Sequence, residues 1–222
     1  MMVMGIELAE ISRRCDRLIQ ALPEGVTLIA ATKYATVEMM RAAYMGGVRH
    51  FGENQVQSAR TKKAGLQDLT DVTWHMIGHL QTNKTRLALS IFDWIHSVDR
   101  LSLAKQLDQL IPVVERSPNL CLQVRIAPDP QKSGWYPAEL QQDLPVLSQL
   151  SHLRIKGLMT MLPLGTKGAE ARALFQQTAE LARQLQSTFP HLQELSMGMS
   201  QDYTEAIAAG ATMIRIGSSL FL

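Results

Sequence analysis

The sequence is poor in aromatic and charged residues. Of 222 residues, 5% are aromatic and 19% charged, and the charges nearly cancel, with 22 Lys and Arg against 20 Asp and Glu. A balance this even gives no bulk electrostatic case for a nucleic acid or a membrane surface as partner. No apolar run approaches the roughly 18–20 residues that a membrane-crossing helix requires. The opening MMVMGIELAE lacks the basic and long apolar regions of a secretory leader, so a cytoplasmic protein is expected. Cys15 and Cys121 have no CxxC spacing and read as small buried hydrophobes, not a redox or metal pair. GxSxG, Walker and GxGxxG motifs are missing, which removes the commonest hydrolase, nucleotide and dinucleotide signatures.

What is present is 46% hydrophobic residue arranged in a regular rhythm. Leu8, Ile11, Cys15, Leu18 and Leu22 line one face of a helix over 4–22, which Pro23 stops. Strand patterns then occur at 26–33, 50–54, 74–78, 93–98, 120–127, 155–162, 194–200 and 213–221. Helical patterns separate them at 37–46, 55–65, 81–91, 100–115, 137–151, 168–188 and 201–209. Eight strands alternating with helices predict a single (β/α)8 TIM barrel, preceded by an extra N-terminal helix and filling residues 1–222 as one domain. An open doubly wound sheet is the alternative, but it usually has fewer strands and a Gly-rich first turn, and here the first strand runs into ATKYAT.

In a barrel, chemistry sits where the strands end. Lys33 ends the first strand. It is either a surface lysine or an amine reaching the barrel mouth, where desolvation makes it nucleophilic toward carbonyls. Two small-residue turns, Met197-Gly198-Met199-Ser200 and Ile216-Gly217-Ser218-Ser219, stand where barrels often bind phosphate through backbone N–H groups; the alternative for Ser200 is a helix cap. Arg215 interrupts the apolar strand MIRIG and needs a partner. Pointing inward it meets an anion or a ring nitrogen, and pointing outward it makes one salt bridge. His75 and His79 lie four apart across a strand–loop boundary, without the third ligand a metal site needs. His50, His96, His152 and His191 are scattered along the chain, and Arg60, Lys62 and Lys63 read as a solvated helix face.

An amine on strand one, a phosphate cup on strands seven and eight and an arginine beside it are the parts pyridoxal 5'-phosphate (PLP) needs. The stretches AATKYAT, FGENQVQ, WHMIGHLQTNK, GLMTM, LSMGMSQDYTEAI and IRIGSSLF span nearly the whole chain. In that order they resemble the pyridoxal phosphate homeostasis proteins. The resemblance implies a PLP-binding barrel like the N-terminal domain of alanine racemase, with Lys33 as the aldimine lysine. It implies Ser200, Gly217 and Ser218 for the phosphate and Arg215 facing the pyridine nitrogen. Asn54, Met161, Ser196 and Met197 are implied to line the cofactor pocket.

Arginine accepts no hydrogen bond and keeps its charge, so it favours an unprotonated ring nitrogen and a weaker electron sink. Racemisation also needs a base on each face of the reacting carbon. Lys33 would supply one, and the second would have to come from Tyr34, His79 or a partner. The chain ends directly after strand eight, leaving no room for the second domain a racemase uses. The expectation is therefore a monomeric, non-catalytic protein of PLP and amino acid homeostasis, passing the cofactor to PLP-requiring apoenzymes. A PLP-dependent amino acid racemase and a Schiff-base sugar-phosphate enzyme are the rival readings.

Overall fold

The structure is a computed structural model that describes residues 7–129 and 132–222. Among them, the strands are β1 (Thr27–Ala31), β2 (His50–Glu53), β3 (Thr73–Met76), β4 (Trp94–Val98), β5 (Asn119–Val124), β6 (Arg154–Thr160), β7 (Glu194–Ser196) and β8 (Met213–Ile216). All pair in parallel with their sequence neighbours, and β8 pairs with β1 to close the barrel. The helices are α1 (Leu8–Ala21), α2 (Val37–Met45), α3 (Val56–Gly65), α4 (Thr85–Ile91), α5 (Leu101–Val114), α6 (Pro137–Leu147), α7 (Gly168–Leu185), α8 (Tyr203–Ala208) and α9 (Ser218–Phe221). This is the expected (β/α)8 architecture with a helix ahead of the first strand. The first residues of the expected 4–22 helix lie outside the described residues.

Several elements end earlier than the sequence reading, and three of these ends shape the mouth. β1 stops at Ala31, so Lys33 sits in a turn closed by the Ala35 N–H donating to Thr32 O (2.9 Å). β7 stops at Ser196 and gives way to a loop. β8 does not run on to 221. It ends at Ile216, the chain bends at Gly217, and Ser218–Phe221 forms α9, with Gly217 O accepting from Leu220 and Phe221. LeuPhe at the end of an apolar run reads as strand, but the chain turns at Gly217 and the helix buries Leu220 and Phe221. The short helix after strand eight is the element barrels use at phosphate sites.

The main core lies between barrel and helices, around Phe51, Phe92, Ile95, Leu89 and Leu107. Burial of this continuous apolar layer is the chief stabilising contribution to the fold. Inside the barrel a smaller cluster, Ile29, Cys121, Met159 and Met213, fills only part of the space. Strand register sorts the inward side chains into layers, as barrels do. Below the mouth residues Ala31, Ile77 and Met161, Gly52, His96, Met159 and Arg215 form one layer, then Ile29, His75, Cys121 and Ser196, then His50, Trp94, Gly157 and Met213. The interior is thus unusually polar. Both thiols are buried, as expected, and burial pushes Cys15 up to about 11 and Cys121 further up.

Candidate functional site

A cavity of about 220 Å³ opens at the C-terminal mouth. Lys33, Asn54, Met161, Arg215, Gly217 and Ser218 all line it, so six of the nine residues proposed from sequence meet in one place. Ala31, Tyr34 and Met199 complete much of the wall. The other three lie elsewhere. Ser196 is fully buried beneath Arg215, Met197 packs its side chain into the outer core, and Ser200 stands beside α9 with its Oγ 3.4 Å from Ser219 Oγ.

Lys33 reaches the mouth because Thr32, just before it, is tied down through every polar atom. Its N–H donates to Gly52 O (2.9 Å), its carbonyl accepts from Lys62 Nζ (2.7 Å), and its hydroxyl donates to Glu53 Oε1 (2.5 Å). The Thr36 hydroxyl then accepts from Met39 N–H and starts α2. Between these anchors the Lys33 side chain is exposed, its ammonium 4.8 Å from the centroid of the Tyr34 ring. The solvated-face reading of the basic cluster is corrected here. Arg60 is exposed, but Lys62 is half-buried against Glu53 and Lys63 donates to Ile91 O (2.7 Å). Their stems cross the apolar layer below α3 and their ammonium groups find buried acceptors.

Arg215 points inward and is 4% exposed. Nη1 donates to Ser196 O (2.6 Å) and Ser196 Oγ (2.7 Å), and Nη2 to Thr160 O (2.8 Å). Among the described residues no carboxylate lies within ion-pair distance of it. Burial therefore lowers its guanidinium to about 10, with Asp202 opposing the shift through space.

Below Arg215 lies a feature that sequence reading missed. Two of the four histidines described as scattered, His50 and His96, are joined through His75: Ser196 Oγ is 2.8 Å from His96 Nδ1, His96 Nε2 is 2.9 Å from His75 Nδ1, and His75 Nε2 is 3.0 Å from His50 Nδ1. Burial lowers all three, His96 to about 3 and His75 well below the usual histidine value. The inward parity of each histidine in its own strand was a signal in the sequence, but only barrel closure supplies the register that joins them. His79 lies outside this chain of rings, with its Nδ1 2.9 Å from Asp99 Oδ2, and Asp99 also binds Arg100.

The two turns at strands seven and eight do converge. Gly198 adopts φ +94°, a conformation that favours glycine, and a Cβ there would lie 2.6 Å from Ala206 Cβ. The turn is closed by Met199 N–H donating to Asp202 Oδ1 (2.6 Å). Gly217 brings the end of β8 close to β1, since a Cβ there would lie 3.0 Å from Ala31 O.

The alanine racemase N-terminal domain family matches residues 6–222. The chain is 45% identical to the pyridoxal phosphate homeostasis protein of Synechocystis sp., over 93% of this chain and 95% of that one. It belongs to the pyridoxal phosphate homeostasis protein family. The Escherichia coli member is 38% identical over 94% of this chain and 88% of its own length. PipY of Synechococcus elongatus, solved with PLP bound, superposes with a TM-score of 0.91 at 50% identity, covering 96% of this chain and all of that one. Alanine racemase from E. faecalis shares the barrel fold, with a TM-score of 0.68 at 20% identity; the match covers 97% of this chain and 58% of that chain. The homeostasis proteins are thus similar along almost their whole length.

Proposed function

We propose that the chain binds PLP in the cavity at the barrel mouth and holds it covalently through Lys33. It then takes part in PLP and amino acid homeostasis by releasing the cofactor to PLP-requiring apoenzymes, without turning over substrate. The observation that carries this reading is the meeting, in one cavity, of the Lys33 amine, the buried Arg215 cation and the Gly217–Ser218 start of α9. That donor set fits an aldehyde, a ring nitrogen and a phosphate together, and PipY, half identical in sequence, has been solved with PLP bound.

PLP supplies a reactive aldehyde and an electron-accepting ring. Lys33 offers the amine that attaches the aldehyde carbon. Gly217 and Ser218 offer backbone N–H groups and a hydroxyl to the phosphate, with Ser200 adding a hydroxyl from the facing loop. Asn54 and Met161 form the wall. Ser196 and Met197 act from behind it, one holding Arg215 and the other anchoring the end of β7 in the outer core. Arg215 faces the ring nitrogen as a charged donor that keeps it unprotonated, which weakens the electron sink.

A racemase needs acid–base groups on opposite faces of the reacting carbon. The side chains of Lys33 and Tyr34 project from one turn with the ammonium over the ring, so they approach from the same side. His79 does not line the cavity. A carrier with an exposed attachment amine favours exchange of the cofactor with other amines over turnover. The same reading makes the protein cytoplasmic and monomeric.

The test is the absorbance spectrum of the purified protein with PLP, then borohydride reduction and peptide mass mapping. A visible-edge band and a reduced pyridoxyl mass on Lys33 are expected, with no conversion of L- to D-amino acids. A protein that stays colourless and unmodified with added PLP overturns the reading.

A further inference from the structure

Arg215 is a buried cation whose direct contacts are neutral. Its partners are two carbonyls and the Ser196 hydroxyl, and behind that hydroxyl run three imidazoles in series. His75, His96 and Ser196 are all at most 1% exposed, whereas His50, at the far end, is half-buried. Such a series is costly unless each proton has an acceptor.

Counting protons determines its polarity. A neutral imidazole donates at one nitrogen and accepts at the other. Arg215 donates to Ser196 Oγ, so the serine proton must point elsewhere. Among the described residues the one acceptor within reach is His96 Nδ1. That makes His96 Nε2 a donor to His75 Nδ1, and His75 Nε2 a donor to His50 Nδ1. All three carry their proton on Nε2. In the reverse polarity the Ser196 oxygen could accept from both Arg215 and His96, but the serine proton would be left buried without an acceptor. The four hydrogen-bond dipoles therefore align with their negative ends toward Arg215, and aligned hydrogen bonds polarise one another. Burial keeps the imidazoles neutral, so they add dipoles but no opposing charge.

We propose that His50, His75 and His96 are positioning residues for cofactor binding. Through Ser196 they orient an oxygen lone pair at Arg215 and hold its guanidinium, without a carboxylate, in the plane that faces the cavity. The relay rests on the proposal that Arg215 faces the cofactor.

The experiment compares wild type, His96→Leu, His96→Gln and Ser196→Ala, each titrated with PLP and followed by absorbance. Nitrogen-15 histidine NMR of the cofactor-free wild type reads the tautomers directly. Glutamine accepts with one atom and donates with another, so it replaces the link that leucine removes. With a hydrogen bond to a charged group at stake, His96→Leu and Ser196→Ala should each weaken PLP binding about tenfold or more and move the bound absorbance band. His96→Gln should recover most of both. The NMR spectrum should show three neutral imidazoles protonated on Nε2. A folded His96→Leu or Ser196→Ala protein with wild-type affinity and band position overturns the proposal. So does a charged or Nδ1-protonated His96 in the wild type, a result that stands even if the variants fail to fold. Wild type that binds no PLP would instead overturn the functional reading, and the tautomer result would still decide the relay's polarity.

Discussion

The ammonium of Lys62, on α3, lies 2.6 Å from the carboxylate of Glu53 at the end of β2, and both contact Thr32, the residue just past β1. Glu53 is 1% exposed, so this pair sits inside the wall of the barrel mouth and fixes the residue before Lys33. Lys62→Met would leave the Glu53 carboxylate buried without its cation. Removing one partner of a buried pair costs about 3–5 kcal/mol. Urea unfolding should show that loss, and cofactor uptake at Lys33 should slow because its turn loses one anchor. A midpoint within error of wild type would show that the pair does not hold the mouth.

Lys33→Ala should behave in the opposite way. The side chain is exposed, and its contact is with the Tyr34 ring. Surface substitutions of this kind change stability by less than about 0.5 kcal/mol. Thermal unfolding of the cofactor-free variant should match that of cofactor-free wild type while borohydride-fixed label at this position disappears. The phosphate contacts proposed for Gly217 and Ser218 do not involve this side chain, so weak, non-covalent PLP binding should remain.

Gly198→Ala should damage the loop that carries Ser200. The substitution combines a left-handed backbone with a 2.6 Å approach to Ala206 Cβ. Strain of this type costs of order 1–3 kcal/mol. Lower stability with weakened binding of inorganic phosphate is expected, and unchanged phosphate binding would place the anion site away from this loop.

Acid should destabilise the protein through its interior histidines. Unfolded, they take up protons near 6.5; folded, burial lowers them, His96 to about 3. Below 6.5 the unfolded chain therefore binds more protons than the native one. The contribution of His96 is complete above that value and is lost as the pH falls toward 3, by up to about 1.4 kcal/mol per pH unit, and His75 and His50 act in the same direction. Urea midpoints should drop between pH 7 and pH 5, and His96→Gln should flatten the slope. Equal midpoints at the two pH values would mean that the interior opens to protons before it unfolds.

The architecture was legible from local pattern. Eight strand–helix alternations are a property of periodicity along the chain, and so is the amphipathic face of α1 around Ile11 and Cys15. Lys33, Gly217 and Ser218 stood out because barrel strands end at the mouth, so position along a strand already implies place in the fold, whereas Asn54 and Met161 entered through the family resemblance. Arg215 was identified as needing a partner, but the choice between inside and outside stayed open until the carbonyls of Ser196 and Thr160 closed around it.

Three features depend on contacts between distant segments, and periodicity carries no information about those. The end of β8 looked like strand because Leu220 and Phe221 are apolar in either conformation; only the packing beyond Gly217 selects α9. Lys62 looked solvated because a helix pattern does not show that its ammonium reaches a carboxylate on β2. The histidines looked unrelated because 21 and 25 residues separate neighbours in the chain. Composition and spacing set the fold class and the residues at its mouth, since both derive from local alternation. Closure of the barrel set the register between strands, and with it the partners of Arg215 and of the interior imidazoles, because a parallel sheet joins residues far apart in sequence.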